Sequence, residues 1–139
     1  MIYIVCGVPG SGKTWVLSHL EKVSKDTSSR VSFVHHDDFI GRPDAFRSEI
    51  LRWHLGGDHV VADCPLQVRG LLATISAIPV FVIPDPVITA AQYEYRERRA
   101  IPKQHLGRIP HMRKLASDYG AFVGDSTNVL KHLKEVLFK

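Results

Sequence analysis

Short runs dense in Val, Ile and Phe alternate along the chain with longer stretches whose apolar positions recur every three or four residues. The short runs predict strands at Ile2 to Cys6, Val31 to His35, His59 to Asp63, Pro79 to Ile83 and Ala121 to Val123. The first four are apolar at almost every position, as strands buried on both faces must be, so a mostly parallel sheet is expected. Helical spacing predicts helices over about Lys13 to Lys25, Pro43 to His54, Leu66 to Ala77, Val87 to Arg99, Arg108 to Asp118 and Thr127 to Phe138. The last carries the clearest stripe, Val129, Leu130, Leu133, Val136 and Leu137, with Ser126 as its expected N-cap. Strands and helices in alternation, joined by right-handed crossovers, give a doubly wound three-layer α/β sandwich. No repeat, low-complexity tract or Gly/Ser-rich linker divides it, so one domain over residues 1–139 is expected.

Composition narrows the class without changing the fold. With 139 residues, 45% of them hydrophobic and 23% charged, the chain has the make-up of one soluble domain rather than a two-domain enzyme or a disordered segment. The longest uncharged stretch, Gly70 to Pro84, is interrupted by Thr74, Ser76 and Pro79 and falls short of the roughly 20 apolar residues of a membrane span. No membrane partner is expected. Met1 to Val5 lacks the basic start and small-residue cleavage site of a signal peptide, which points to the cytoplasm. Cys6 and Cys64 both end apolar runs, where a free thiol acts as a small hydrophobe.

Net charge is +4 but unevenly spread: 8 Lys/Arg against 9 Asp/Glu over residues 1–85, then 10 against 5 over residues 86–139. Most of the excess lies between Glu94 and Lys114, which implies an anionic partner for that segment.

Gly7-Val8-Pro9-Gly10-Ser11-Gly12-Lys13-Thr14 matches G-x-x-x-x-G-K-[ST] at every fixed position, follows a strand and opens a helix. Its glycines let successive backbone N–H groups turn inward at phosphate oxygens, and the helix start adds positive potential. Gly10, Ser11, Gly12, Lys13 and Thr14 are thus expected to hold ATP, with Lys13 on the β and γ phosphates and the Thr14 hydroxyl on Mg²⁺. AAA and helicase cores need longer domains. A GTPase should carry Asn-Lys-x-Asp, which is absent; Asn128 is the sole asparagine. The small P-loop kinases remain.

Three further groups suit a kinase. His35-His36-Asp37-Asp38-Phe39 puts two carboxylates where the second strand gives way to a loop, one a candidate base for the acceptor hydroxyl and the other a capping group. His59-Val60-Val61-Ala62-Asp63 has the form of a Walker B strand, so Asp63 would hold Mg²⁺ or fix the acceptor. Arg96 and Arg99, at i and i+3 on one helix, suit a lid of about residues 94–114 closing over the transferring phosphoryl group.

These residues together resemble the kinase domain of phage polynucleotide 5′-hydroxyl kinases and related small P-loop kinases. Gly7 to Thr14 is similar to that family's loop, and Asp37-Asp38-Phe39 resembles its Arg-Asp-Asp-Tyr, whose first Asp is the base; His36 stands where the family has Arg. The resemblance implies a sheet order 2-3-1-4-5, Asp37 as base, Asp38, Arg42 and Asp63 on the acceptor side, and Arg96 stabilising the transition state. It also implies a nucleic-acid acceptor, a 5′-hydroxyl of DNA or RNA or a hydroxymethylated pyrimidine within DNA, for which Trp53, Phe39 and Tyr95 could stack a base. A nucleoside, nucleotide or small-metabolite kinase is the alternative, its acceptor recognised between Gly41 and Asp58. A nucleotide-regulated binding module is a third reading, disfavoured by the joint presence of Lys13, Thr14, Asp37 and Asp63.

Overall fold

In the computed structural model five strands, β1 (Ile2–Cys6), β2 (Val31–Val34), β3 (His59–Cys64), β4 (Ile78–Val82) and β5 (Phe122–Gly124), form one sheet in the order β2-β3-β1-β4-β5. The structure describes residues 1–8, 11–27, 29–64, 68–83 and 86–138. Every strand pair is parallel, so the expected sheet is found with its expected order. β1 lies in the middle because its five residues are buried on both faces. Its register sets Val5 beside Asp63 and Cys6 beside Cys64.

Six helices cover the faces: α1 (Lys13–Lys25), α2 (Pro43–Leu55), α3 (Val68–Thr74), α4 (Pro86–Glu97), α5 (Lys103–Asp118) and α6 (Ser126–Leu137). Strand side chains alternate between faces, which splits the core in two. Tyr3, Val5, Val61, Val80 and Val82 meet Val16, Leu17 and Leu20 of α1 and Val129, Leu130 and Leu133 of α6. Ile4, Cys6, Val60, Ala62 and Phe81 meet Phe46 and Ile50 of α2, Ile75 after α3, and Ile109, Met112 and Leu115 of α5. Each fully buried Leu or Ile of this kind is worth about 1.5–3 kcal/mol, far more than any helix propensity it overrides. Among the described residues no helix is long and apolar enough to cross a membrane.

Departures from the sequence expectation fall at element ends and have local causes. α5 begins at Lys103 rather than Arg108, because Leu106 and Ile109 seat its first turns on the core despite Gly107 and Pro110. α6 is capped by Asp125, whose carboxylate accepts from the Asn128 N–H at 2.8 Å; the expected cap, Ser126, is instead the first helical residue. α4 stops at Glu97, since Arg98 takes a left-handed φ of 59°. α3 ends at Thr74 instead of Ala77. Leu66, its expected start, lies outside the described residues.

Candidate functional site

The glycine-rich loop leaves the carboxyl end of β1, and its last residues are shaped by close packing rather than by side-chain capping. Ser11 N–H donates to the Val8 carbonyl at 3.1 Å. Gly12 follows with φ 103° and precedes α1 without a side-chain cap. Only glycine fits there, because a Cβ would also lie 2.9 Å from the Cβ of Ser126 at the start of α6. At Gly7 a Cβ would fall 2.5 Å from Ser11 Oγ. That hydroxyl is buried and, among the described residues, without a hydrogen-bond partner. The first turn of α1 holds no acidic residue, so its free N–H groups keep their positive potential for an incoming anion. Pro9 and Gly10, the latter an expected phosphate ligand, lie outside the described residues.

Lys13 is not a loop side chain. It is the first residue of α1, only 8% exposed, and its Nζ donates to the carbonyls of Gly7 at 2.9 Å and Val8 at 3.1 Å. Burial pulls its pKa from 10.5 down to about 8; Asp63 opposes this and the Arg96 guanidinium reinforces it. Lys13 and Arg96 therefore feel each other as like charges across one cleft, a strain that a polyphosphate would relieve.

That cleft, about 770 Å³, is lined by Gly12, Lys13, Thr14 and Trp15 of the loop and α1, by Ala91, Gln92, Tyr95 and Arg96 of α4, and by Ser126. Its volume lies within the range of nucleotide-sized ligands. Thr14 is exposed. Trp15 and Tyr95 offer exposed rings, Tyr95 being 80% exposed. Arg96 is held by Nε to Glu97 Oε1 at 3.0 Å and lies over the Tyr93 ring.

Asp63 is buried at the end of β3, and its Oδ1 accepts the backbone N–H of His36 at 2.7 Å. The chain after β2 makes one 3₁₀ turn, His36–Phe39, with Asp37 and Asp38 both exposed on it. Arg42 folds back on this turn, donating to the Asp38 carbonyl at 2.6 Å and lying over the Phe39 ring. Beyond it a second cleft of about 210 Å³ is lined by His36, Pro43, Phe46, Arg47, Cys64, Gly70, Leu71 and Thr74.

The fold therefore gathers Gly12, Lys13, Thr14 and Arg96 in one cleft, with Asp63 electrostatically coupled to Lys13. Arg99 is not brought there. The left-handed Arg98 takes it off the face that carries Arg96, and its guanidinium donates to the Tyr93 hydroxyl at 3.3 Å. Asp37 and Asp38 stand on the turn beside the second cleft and Arg42 follows it, but none of them is among its lining residues. Of the expected stacking rings Tyr95 lines the first cleft, and Phe39 and Trp53 line neither of the two. Phe39 packs on Phe46, and Trp53 donates to Glu49 under the Arg52 guanidinium. Sequence reading missed Trp15, Gln92 and Ser126 in the first cleft and Phe46, Arg47 and Thr74 in the second. A helical wheel through Arg96 would have found Gln92, at i−4; nothing local announces the others.

The oxygen donors suit Mg²⁺, which keeps several waters and takes few protein ligands. The Thr14 hydroxyl and the second oxygen of Asp63 are of the right chemistry, and among the described residues no three His, Cys, Asp or Glu side chains converge to form a closed metal cage.

A gluconokinase from Sinorhizobium meliloti 1021 has the same fold. The two chains superpose with a TM-score of 0.60 at 16% identity, over 98% of this chain and 94% of the other. The chain thus has a P-loop kinase α/β fold. No protein-family model matches the chain, and none of the curated proteins matches it at a significant level.

Proposed function

We propose that this protein transfers the γ-phosphate of ATP to a hydroxyl of a small metabolite. The observation that carries the reading is the shared cleft of Lys13, Thr14 and Arg96: two cations and a helix start converge where, among the described residues, no carboxylate lines the wall. Its fold similarity to a gluconokinase supports phosphotransfer, and the modest second cleft favours a small acceptor over a polymer.

In this reading the backbone N–H groups at the start of α1 and Lys13 Nζ bind the β and γ phosphates, while Arg96 faces the phosphoryl group in transit. Thr14 and Asp63 would hold Mg²⁺, which when bound would neutralise charge on the phosphate oxygens. Asp37 orients the acceptor hydroxyl and takes its proton as the oxygen bonds to the γ-phosphorus; the bond to the bridging oxygen breaks and ADP leaves with its electrons. Asp38 and Arg42 shape the turn that carries Asp37. Arg99 supports the lid through Tyr93. Dependence on ATP and two buried cysteine side chains fit a cytoplasmic setting.

A polynucleotide acceptor is the second reading, favoured by the exposed Arg108, Arg113 and Lys114 along α5. Incubating the protein with ATP labelled at the γ-phosphate and either small hydroxyl compounds or 5′-hydroxyl oligonucleotides separates the two. Label in the small compounds is expected. Label in oligonucleotides alone would restore the nucleic-acid reading, and ATP binding without transfer to anything would leave a binding module.

A further inference from the structure

We infer that Arg47 selects an acceptor bearing a negative charge, so that the preferred substrate is a small hydroxylated anion. The inference rests on the kinase reading and names the substrate class for its second cleft.

That cleft has apolar walls from Phe46 and Leu71 and few polar groups, as a specific small-molecule site does. Thr74 already donates its hydroxyl proton to the Leu71 carbonyl at 3.0 Å, leaving oxygen lone pairs that accept from a ligand hydroxyl. The His36 ring meets Phe46 edge-on at 5.3 Å between centroids, which fixes its plane. Among the described residues, Arg47 is the one of permanent charge in the lining.

Its only partner in the described structure is Asp44, at 2.6 Å through one terminal nitrogen. The two ends of that pair differ in setting: the Asp44 side chain is 88% exposed and that of Arg47 35%. Asp44 is thus a solvated surface carboxylate, weakly held, and the pair does not use up the guanidinium fork. An arginine has five N–H donors in one plane and cannot lose its charge, so it recognises a carboxylate or a phosphate through two parallel hydrogen bonds. A neutral polyol in the same cleft would leave that fork with the solvated Asp44 as its only anionic partner among the described residues. With roughly 210 Å³ available, the cleft suits a short hydroxylated anion rather than a polymer end.

The test compares hydroxy acids and sugar phosphates of three to six carbons with the neutral polyols of the same length, each supplied with labelled ATP. One anionic series should be phosphorylated with a kcat/KM about 10-fold or more above its neutral counterparts; which series it is distinguishes a carboxylate from a phosphate ligand. Arg47→Met should raise the acceptor KM about 10- to 100-fold with a much smaller change in kcat, and Arg47→Lys should recover part of the loss. A neutral polyol preferred by the unaltered protein, or an unchanged acceptor KM in Arg47→Met, would overturn the inference while the kinase reading stood. Should Arg47→Met fail to fold, the charge preference of the unaltered protein decides alone. Absence of transfer to any small compound, with ATP still bound, would remove the small-acceptor reading and this inference with it.

Discussion

The backbone N–H of His36 donates to the buried Asp63 carboxylate at 2.7 Å, joining the end of β2 to the end of β3 across 27 residues of chain. One acid thereby does two jobs. It anchors the turn that carries Asp37 and Asp38, and its charge supports the protonated form of Lys13. Asp63→Asn keeps an acceptor for His36 but loses the charge, so turnover should fall about 10-fold or more with a small change in Tm. Asp63→Ala leaves the part-buried His36 N–H unpaired and should cost in addition about 1–3 kcal/mol of stability, read from denaturant unfolding.

Asp37 is exposed and makes no described bond that holds the fold, so its replacement tests chemistry alone. Asp37→Asn should lower turnover by about 10² with ATP affinity unchanged, since it removes the proposed base and leaves the phosphate site intact. Asp38→Asn should be milder. Steady-state kinetics in which Asp38→Asn is the more damaging of the two would exchange their roles.

The depressed pKa of Lys13 makes nucleotide binding depend on pH in a definite direction. In the free protein Lys13 loses its proton as pH rises through about 8, whereas bound phosphates favour the charged form. ATP affinity should therefore weaken above that pH, by up to about tenfold per pH unit, with proton uptake on binding. Calorimetry in two buffers of different ionisation heat measures that uptake; proton release would contradict it.

The same shift bears on stability. Because the folded pKa lies below the unfolded 10.5, the charged side chain carries a penalty that is present in full below about 8 and fades as pH rises toward 10.5. Lys13→Met removes that penalty along with the phosphate contact. Turnover should vanish while Tm at pH 7 stays within a few degrees of the parent.

Gly12 is constrained twice over, by φ 103° and by the Ser126 Cβ. Gly12→Ala should cost about 1–3 kcal/mol and weaken ATP binding, because relief of the clash displaces either the loop or the start of α6. Ser126→Gly in the same chain should recover part of the stability if the contact contributes to the cost.

Exposed basic residues of α5 supply a test by salt. With a small anionic acceptor, KM should rise only mildly with ionic strength, and Arg108 and Lys114 replaced together by Gln should leave that response unaltered. A steep dependence that the double variant flattens is the behaviour of a tracked polynucleotide backbone.

The amino-acid sequence by itself determined the layers, the parallel sheet and the phosphate loop, because each depends on signals close together in the chain. Strands buried on both faces must be apolar throughout, as Val60 to Ala62 are, and a backbone anion site needs closely spaced glycines before a helix, as Gly7, Gly10 and Gly12 supply. Lys13, Thr14, Asp37 and Asp63 could be named as candidates for the same reason. Only tertiary structure decided what stands opposite them. Whether Arg96 or Arg99 faces Lys13 turns on one left-handed residue, Arg98, which ends α4 and which helical periodicity does not reveal. Ser126 reaches Gly12 because β4 and β5 extend the sheet beyond β1 and deliver α6 beside α1, a consequence of strand order. Arg47 reads in sequence as half of a surface pair with Asp44 at helical spacing. It lines a cleft because α2 packs its Phe46 and Ile50 into the core, and that rotation carries the next side chain toward Cys64 and Leu71. Contacts between residues distant in sequence are set by how whole elements dock, and no local pattern encodes them.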